Sequence, residues 1–336
     1  MKPPYIIGAV CIAMALAACS GAQTGSTNAI PAVSTPQRNI QKLASAVILV
    51  ANEGAGTGGS ISEFVESANG NVAPSSIVAD RVGVPGPYAV AFSKKEGVGI
   101  ADGNLDSNGQ VGAETIALAT GEVLTQISCF GKPNQTNAVA FDSTGHLYVT
   151  TAGSGVEVFS PGASGCVKPK RTISDAGGLA IDSNNVLYVA NAETATIDIF
   201  PAGSSTMQAQ IGGSNTGLGT PGMGALPADT VAIDASRNVY VFDPKTATIS
   251  EFAAGAHGNV APIRTIAGSN TGLGGGTGFS FGIAVSKASG EIFISNSGSN
   301  AILGFAANAS GDVAPIQTIS GSATRLSNPL GIVVTE

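Results

Sequence analysis

Short apolar runs alternate with polar turns from residue 47 to the end of the chain, and one unit recurs. It opens on an apolar strand: Ala89-Val90-Ala91-Phe92, Ala138-Val139-Ala140-Phe141, Leu179-Ala180-Ile181-Asp182, Val231-Ala232-Ile233-Asp234 and Ile283-Ala284-Val285-Ser286. Taking Val90, Val139, Leu179, Val231 and Ile283 as equivalent, the intervals are 49, 40, 52 and 52 residues. Each run is followed by a tight polar turn and a second strand, such as Val186-Leu187-Tyr188-Val189 or Val239-Tyr240-Val241. A third strand carries Phe64, Phe159, Phe200, Phe252 or Phe305. A hairpin then leads to a fourth, written GNVAPSSI (70–77), GCVKPKRTI (165–173), GNVAPIRTI (258–266) and GDVAPIQTI (311–319). Proline cannot donate to a ladder, so Pro74, Pro169, Pro262 and Pro315 predict that the fourth strand is an outer edge.

Four short strands per period of this length are the content of one propeller blade. The chain ends set the number of blades. Val47-Ile48-Leu49-Val50-Ala51-Asn52 matches a second strand without its first, and Leu330-Gly331-Ile332-Val333-Val334 matches a first strand without its second. Ile332 lies 49 residues after Ile283, in register with the repeat. The fold class expected is therefore all-β, a six-bladed β-propeller of four-stranded blades over residues 45–336, closed by the C-terminal strand completing the first blade. Segments GLAIDSNNVLYVAN (178–191), TVAIDASRNVYVFD (230–243) and GIAVSKASGEIFISN (282–296) resemble the core of the NHL-repeat propellers. That group includes sugar lactonases, lyases, strictosidine-synthase-like enzymes and pure binding modules, so the resemblance implies a fold and not an activity.

The first residues add an address. Lys2 precedes an apolar stretch of 13 residues (6–18), too short to span a ~30 Å hydrocarbon core. It ends in Leu16-Ala17-Ala18-Cys19, which resembles the bacterial lipobox. The resemblance implies a signal peptide over 1–18, cleavage before Cys19, and lipidation of that residue. Two or three acyl chains hold a protein firmly on a membrane. Ser20 stands where Asp would signal inner-membrane retention, which favours the outer membrane if the host is Gram-negative. Residues 19–44, rich in Ser, Thr, Ala, Gln, Gly and Pro, read as a flexible tether. The net charge of −7 becomes −8 once Lys2 is removed, and basic residues are scattered, which argues against nucleic acid as a partner.

Candidate chemistry is sparse. His146 and His257 occupy turn slots that vary from repeat to repeat. The second strands end in Asn52, Asp102, Thr151, Asn191, Asp243 and Asn296, short polar residues that either bond back to turns or face a ligand. Gluconolactonase-like propellers place carboxylates and an Asn where the first strands begin, around one divalent ion. The matching slots here are Pro87, Asn137, Gly177, Asp229, Phe281 and Pro329, so Asn137 and Asp229 are the residues that fit that type. In blade two, Asp102-Gly-Asn104-Leu-Asp106-Ser-Asn108-Gly109-Gln110 resembles a calcium loop. Asn104, Asp106, Asn108 and Gln110 would coordinate a structural calcium ion, with Glu114 one place short of the usual acidic position; this is the one cofactor suggested. The loop GSNTGL appears at 213–218 and 268–273, diverging to GSATRL at 321–326. Cys129 follows the fourth strand of blade two and Cys166 precedes that of blade three. On opposite faces, a strand length of ~20 Å apart, they are expected to remain unpaired. The leading function is a non-catalytic, envelope-anchored propeller binding a protein or glycan on its channel-mouth face. The alternative is a metal-dependent lactonase or lyase using Asn137 and Asp229.

Overall fold

A computed structural model describes residues 46–54, 59–80, 86–102, 112–128, 136–151, 154–175, 177–191, 193–219, 231–274 and 281–335. Six antiparallel four-stranded sheets form a closed ring, the six-bladed β-propeller expected. Blade one runs from the inside outward as Pro329–Val334, Val47–Asn52, Ser60–Val65 and Ser76–Asp80. The other five take consecutive strands, with inner strands Pro87–Ser93, Thr136–Phe141, Gly177–Ile181, Val231–Ile233 and Phe281–Val285 in blades two to six. Each inner strand packs beside the next, and that of blade one lies between those of blades six and two. The closing pair registers Ile48 with Val334, Leu49 with Val333 and Val50 with Ile332. It is pinned where Thr335 N donates to Val47 O at 2.8 Å and Val47 N donates to Thr335 Oγ1 at 3.1 Å.

The turns after the inner strands of blades three, four and five follow from one residue type. Asp142, Asp182 and Asp234 each accept a bond at Oδ1 from the backbone N–H four residues on, at 2.8–2.9 Å. In blades three and five Oδ2 also lies within 3.4–3.5 Å of the hydroxyl of Tyr148 or Tyr240. A short carboxylate that satisfies turn amides writes the turn locally, and the Tyr anchors it to the core. That core lies between blades, where the third-strand Phe64, Phe159, Phe252 and Phe305 are buried.

The prolines sit differently from the expectation. Each falls two residues ahead of the fourth strand, in the hairpin, and the ladder begins with the residue after it. Ser75, Lys170, Ile263 and Ile316 donate to Glu63, Val158, Glu251 and Gly304 at 2.7–2.8 Å. The missing N–H therefore falls where no ladder bond is due. The edge is blunted instead by brevity: the fourth strands of blades three, four and five have 3 residues each.

Twist accumulates from inner to outer strand, turning the fourth strand toward the neighbouring blade. Its end pairs with the next blade's hairpin at four junctions: Ile127 with Gly165, Ile211 with Gly258, Ile266 with Gly311 and Ile319 with Gly70.

Candidate binding site at the channel mouth

Alternate residues of an inner strand face the same way, and here they wall the central channel with hydrocarbon. Val90, Val139, Leu179, Val231, Ile283 and Ile332 form one ring, and Phe92, Phe141, Ile181, Ile233, Val285 and Val334 the next. They line a cavity of about 180 Å³, with Lys287 on its wall at the turn end. The opposite end, where the inner strands begin, is the mouth.

The polar ring at the mouth is occupied with holding its own loops. Asn191 Oδ1 accepts from Glu193 N and Thr194 N at 3.0 and 3.2 Å, and Asp243 Oδ1 from Lys245 N at 2.9 Å. Asn296 Oδ1 accepts from Ser299 N at 3.2 Å, while its amide donates to Gly272 O at 3.2 Å. Asn52 donates to Ser62 Oγ at 3.0 Å and accepts from Ser327 N at 3.3 Å. Asp102 ends the second strand of blade two, opposite Pro87.

Register assigns the strand-entry slots. Pro87, Thr136, Gly177, Phe281 and Pro329 pair with Asp102, Thr151, Asn191, Asn296 and Asn52. The slot in blade three is thus Thr136, and Asn137 is the extra residue of a β-bulge before Ala138. Tyr88 occupies the same position in blade two, between Pro87 and Ala89. Blade one has the equivalent irregularity, with Leu330 and Gly331 opposite Ala51. Three consecutive blades therefore carry an inserted residue at the mouth, the device by which a strand re-aims a side chain.

A polar cluster that the sequence did not reveal sits on this bulged side. Tyr88 donates its hydroxyl to Glu53 Oε1 at 3.4 Å, and Asn328 Nδ2 donates to Glu53 Oε2. All three side chains are half-buried, as is Asn137. Burial, and then the carboxylate of Glu53, push the Tyr88 hydroxyl above the ordinary tyrosine range. The backbone joins the same residues, since Glu53 N donates to Asn328 O at 3.2 Å. Asn328 holds φ 51°, a left-handed conformation that Asn tolerates better than most residues. The arrangement offers a carboxylate, a phenol and an amide at the edge of an apolar channel.

The remaining candidates lie elsewhere. His146 sits at the turn end, its Nδ1 3.0 Å from Asp142 Oδ2 and its Nε2 3.0 Å from Lys170 Nζ. His257 Nδ1 lies 3.1 Å from Gly255 O in an exposed hairpin. Glu114 is buried in the third strand of blade two, paired with Ile100 and Gln126. Asn104, Asp106, Asn108, Gln110, Asp229, Cys19 and Cys129 lie outside the described residues. Among the described residues no three His, Cys, Asp or Glu side chains come together as metal ligands would. The described entry slots, Pro87, Thr136, Gly177, Phe281 and Pro329, supply no carboxylate for a catalytic cation.

No protein-family model and no curated protein sequence matches the chain. Solved structures match its fold. A chain of the nidogen/laminin complex superposes with a TM-score of 0.61 at 12% identity, covering 87% of this chain and 99% of that one. A Lactobacillus plantarum protein gives 0.57 at 13%, with 87% and 99% covered. The periplasmic gluconolactonase of Pseudomonas aeruginosa gives 0.54 at 10%, again with 87% and 99% covered. At such identities the likeness is one of fold: the chain is a six-bladed β-propeller whose structural neighbours include a lactonase.

Proposed function

We propose that this propeller is a binding module of the cell envelope, held there by acyl chains on Cys19, that receives a protein partner on the bulged side of its channel mouth. The observation that supports this most is the run of bulges in blades one, two and three. They make Tyr88 and Asn137 inserted residues at the mouth, with Tyr88 bonded to Glu53 and Glu53 to Asn328, above two rings of hydrocarbon. A polar rim around an apolar floor is the composition of a recognition surface. A protein fits this surface better than a glycan. The large hydrophobic side chains exposed among the described residues are Val, Met and Ile, and Tyr148, Tyr188 and Tyr240 are buried, which leaves half-buried Tyr88 as the one described tyrosine face at the mouth for a sugar to stack on. A chain of the same fold is part of the nidogen/laminin complex.

The test has two arms. Cys19→Ala should move the protein from the membrane to the soluble fraction, and mass spectrometry of the wild type should find an acylated Cys19. The double variant Tyr88→Ala/Asn137→Ala should melt within a few degrees of wild type yet lose the partner that co-purifies from solubilised envelopes. The gluconolactonase neighbour supports a second reading, lactone hydrolysis around Asn137 and Asp229. A divalent-ion-dependent lactonase activity abolished by Asp229→Ala would establish it in place of the first.

A further inference from the structure

Three blade junctions share one fastening. Gly70, Gly258 and Gly311 donate from their backbone N–H to Thr318, Gln210 and Thr265 of the preceding blade at 2.6–2.7 Å. The next residue, Asn71, Asn259 or Asp312, then accepts at Oδ1 from the N–H of Ala323, Asn215 or Asn270, each at 2.7 Å. Those amides belong to the loop leaving the preceding blade, and two residues before each stands a glycine: Gly321, Gly213 or Gly268. A Cβ built on these glycines would come within 2.6, 2.7 and 2.3 Å of the Cγ of the facing Asn or Asp. The duplicated GSNTGL loops are thereby accounted for as half of a latch.

The junction of blades two and three has the same backbone and different side chains. Gly165 N donates to Gln126 O at 2.7 Å, and Ser128 N donates to Gly165 O at 3.1 Å, as at the other three. The residue after Gly165 is Cys166, in the place of the Asn or Asp, and Cys166 is disulfide-bonded. The glycines lie two residues beyond Ile211, Ile266 and Ile319. Two residues beyond the equivalent Ile127 is Cys129. We propose that Cys166 is bonded to Cys129, so that this junction is latched covalently where three others use a glycine and a hydrogen-bonding cap.

The geometry of the repeat suits the bond. A Cβ on Gly213, Gly268 or Gly321 would stand 2.9, 2.6 and 3.0 Å from the Cβ of the facing residue. A disulfide needs ~3.5–4.5 Å between Cβ atoms, a shift of about an ångström. Cys166 is disulfide-bonded, against the expectation of an unpaired thiol; that expectation treats the blade as flat, whereas twist carries the end of one outer strand to the next blade's hairpin. Chemically, two thiols lose two protons and two electrons to form one S–S bond, and the acceptor is a disulfide oxidant reduced to its dithiol. Such oxidants act outside the cytoplasm, where the N-terminal segment would send the chain.

The test is non-reducing peptide mapping of protein from the envelope of producing cells, alkylated before digestion. A linked Cys129–Cys166 peptide is expected. Alkylated Cys129, or Cys166 linked to any other thiol, would overturn the assignment. Reduction should lower the melting temperature of the wild type by roughly 10 °C, the size expected from closing a loop of ~40 residues. The variant Cys129→Gly/Cys166→Asn restores the pair used at the other junctions. It should fold, melt above reduced wild type and ignore the reductant. A wild type equally stable with and without reductant would contradict the proposal, whatever the single variants do.

Discussion

Blades one to three and blades four and six come from the same repeat but meet the channel mouth differently. In blades four and six the ladder runs true to the first residue, Gly177 opposite Asn191 and Phe281 opposite Asn296. In blades one, two and three an extra residue breaks it. The turn end shows no such division, since Asp142 and Asp234 make the same bonds on either side of the ring. A repeat copied for closure alone would be equally regular at both ends. Among the described inner strands the departures fall in blades one, two and three, at the end where the carboxylate, phenol and amide gather.

The largest effect should come from breaking the ring that both halves share. Deleting residues 330–336 strips the inner strand from blade one and removes the buried Leu330, Ile332 and Val334. At ~1.5–3 kcal/mol for each such side chain, the loss approaches the ~5–15 kcal/mol that keeps a domain folded. The truncated protein should be protease-sensitive with no cooperative melt, whereas deleting residues 24–30 should leave the melt unchanged.

Next in size is the ion pair on the regular side. Arg264 Nε donates to Glu251 Oε2 at 2.6 Å, and the Glu251 side chain is 5% exposed. Arg264→Ala leaves that carboxylate buried without its cation, and urea denaturation should show a loss of about 2–4 kcal/mol. The counterpart Arg171 lies 5.7 Å over the Tyr148 ring and donates to its hydroxyl at 3.0 Å. Arg171→Ala should cost only about 1 kcal/mol.

A smaller effect is expected at the turn end. Burial would raise the pKa of Asp142, but bonds from Thr144 and His146, with the charge of His146, outweigh it and hold the carboxyl below its ordinary value. A depressed folded pKa contributes stability that is present above the unfolded value of ~3.9 and lost as pH falls through the folded one. Asp142→Asn should therefore cost about 1 kcal/mol at pH 7 by urea melts, and less at pH 3. The smallest change in stability should follow deletion of Asn137, which restores blade three to the regular pattern. A shift of no more than about 0.5 kcal/mol is expected, the size of an ordinary surface change, together with loss of the partner.

The ring was legible in the sequence because closure is written in register: Ile332 falls one period after Ile283, and Val47–Asn52 lacks a first strand. The turn carboxylates were legible for a similar reason, being local. What was missed is non-local or smaller than one residue. Neighbouring Thr136 and Asn137 cannot be told apart as slot and bulge without seeing which one pairs with Thr151. Glu53 and Asn328 meet across 275 residues, beyond any local pattern. Cys166 was misjudged, being disulfide-bonded, because strand order carries no twist.

The central claim, that the bulged half of the mouth meets the partner while the regular half is scaffold, is tested most directly by photo-cross-linking in intact cells. A photoreactive residue would be placed at positions 88 and 137, and at exposed Glu193 and Lys245 in the mouth loops of blades four and five. Adducts to a single protein species from 88 and 137, and none from 193 and 245, are the expected result. Equal adducts from all four positions, or none from 88 and 137, would contradict it.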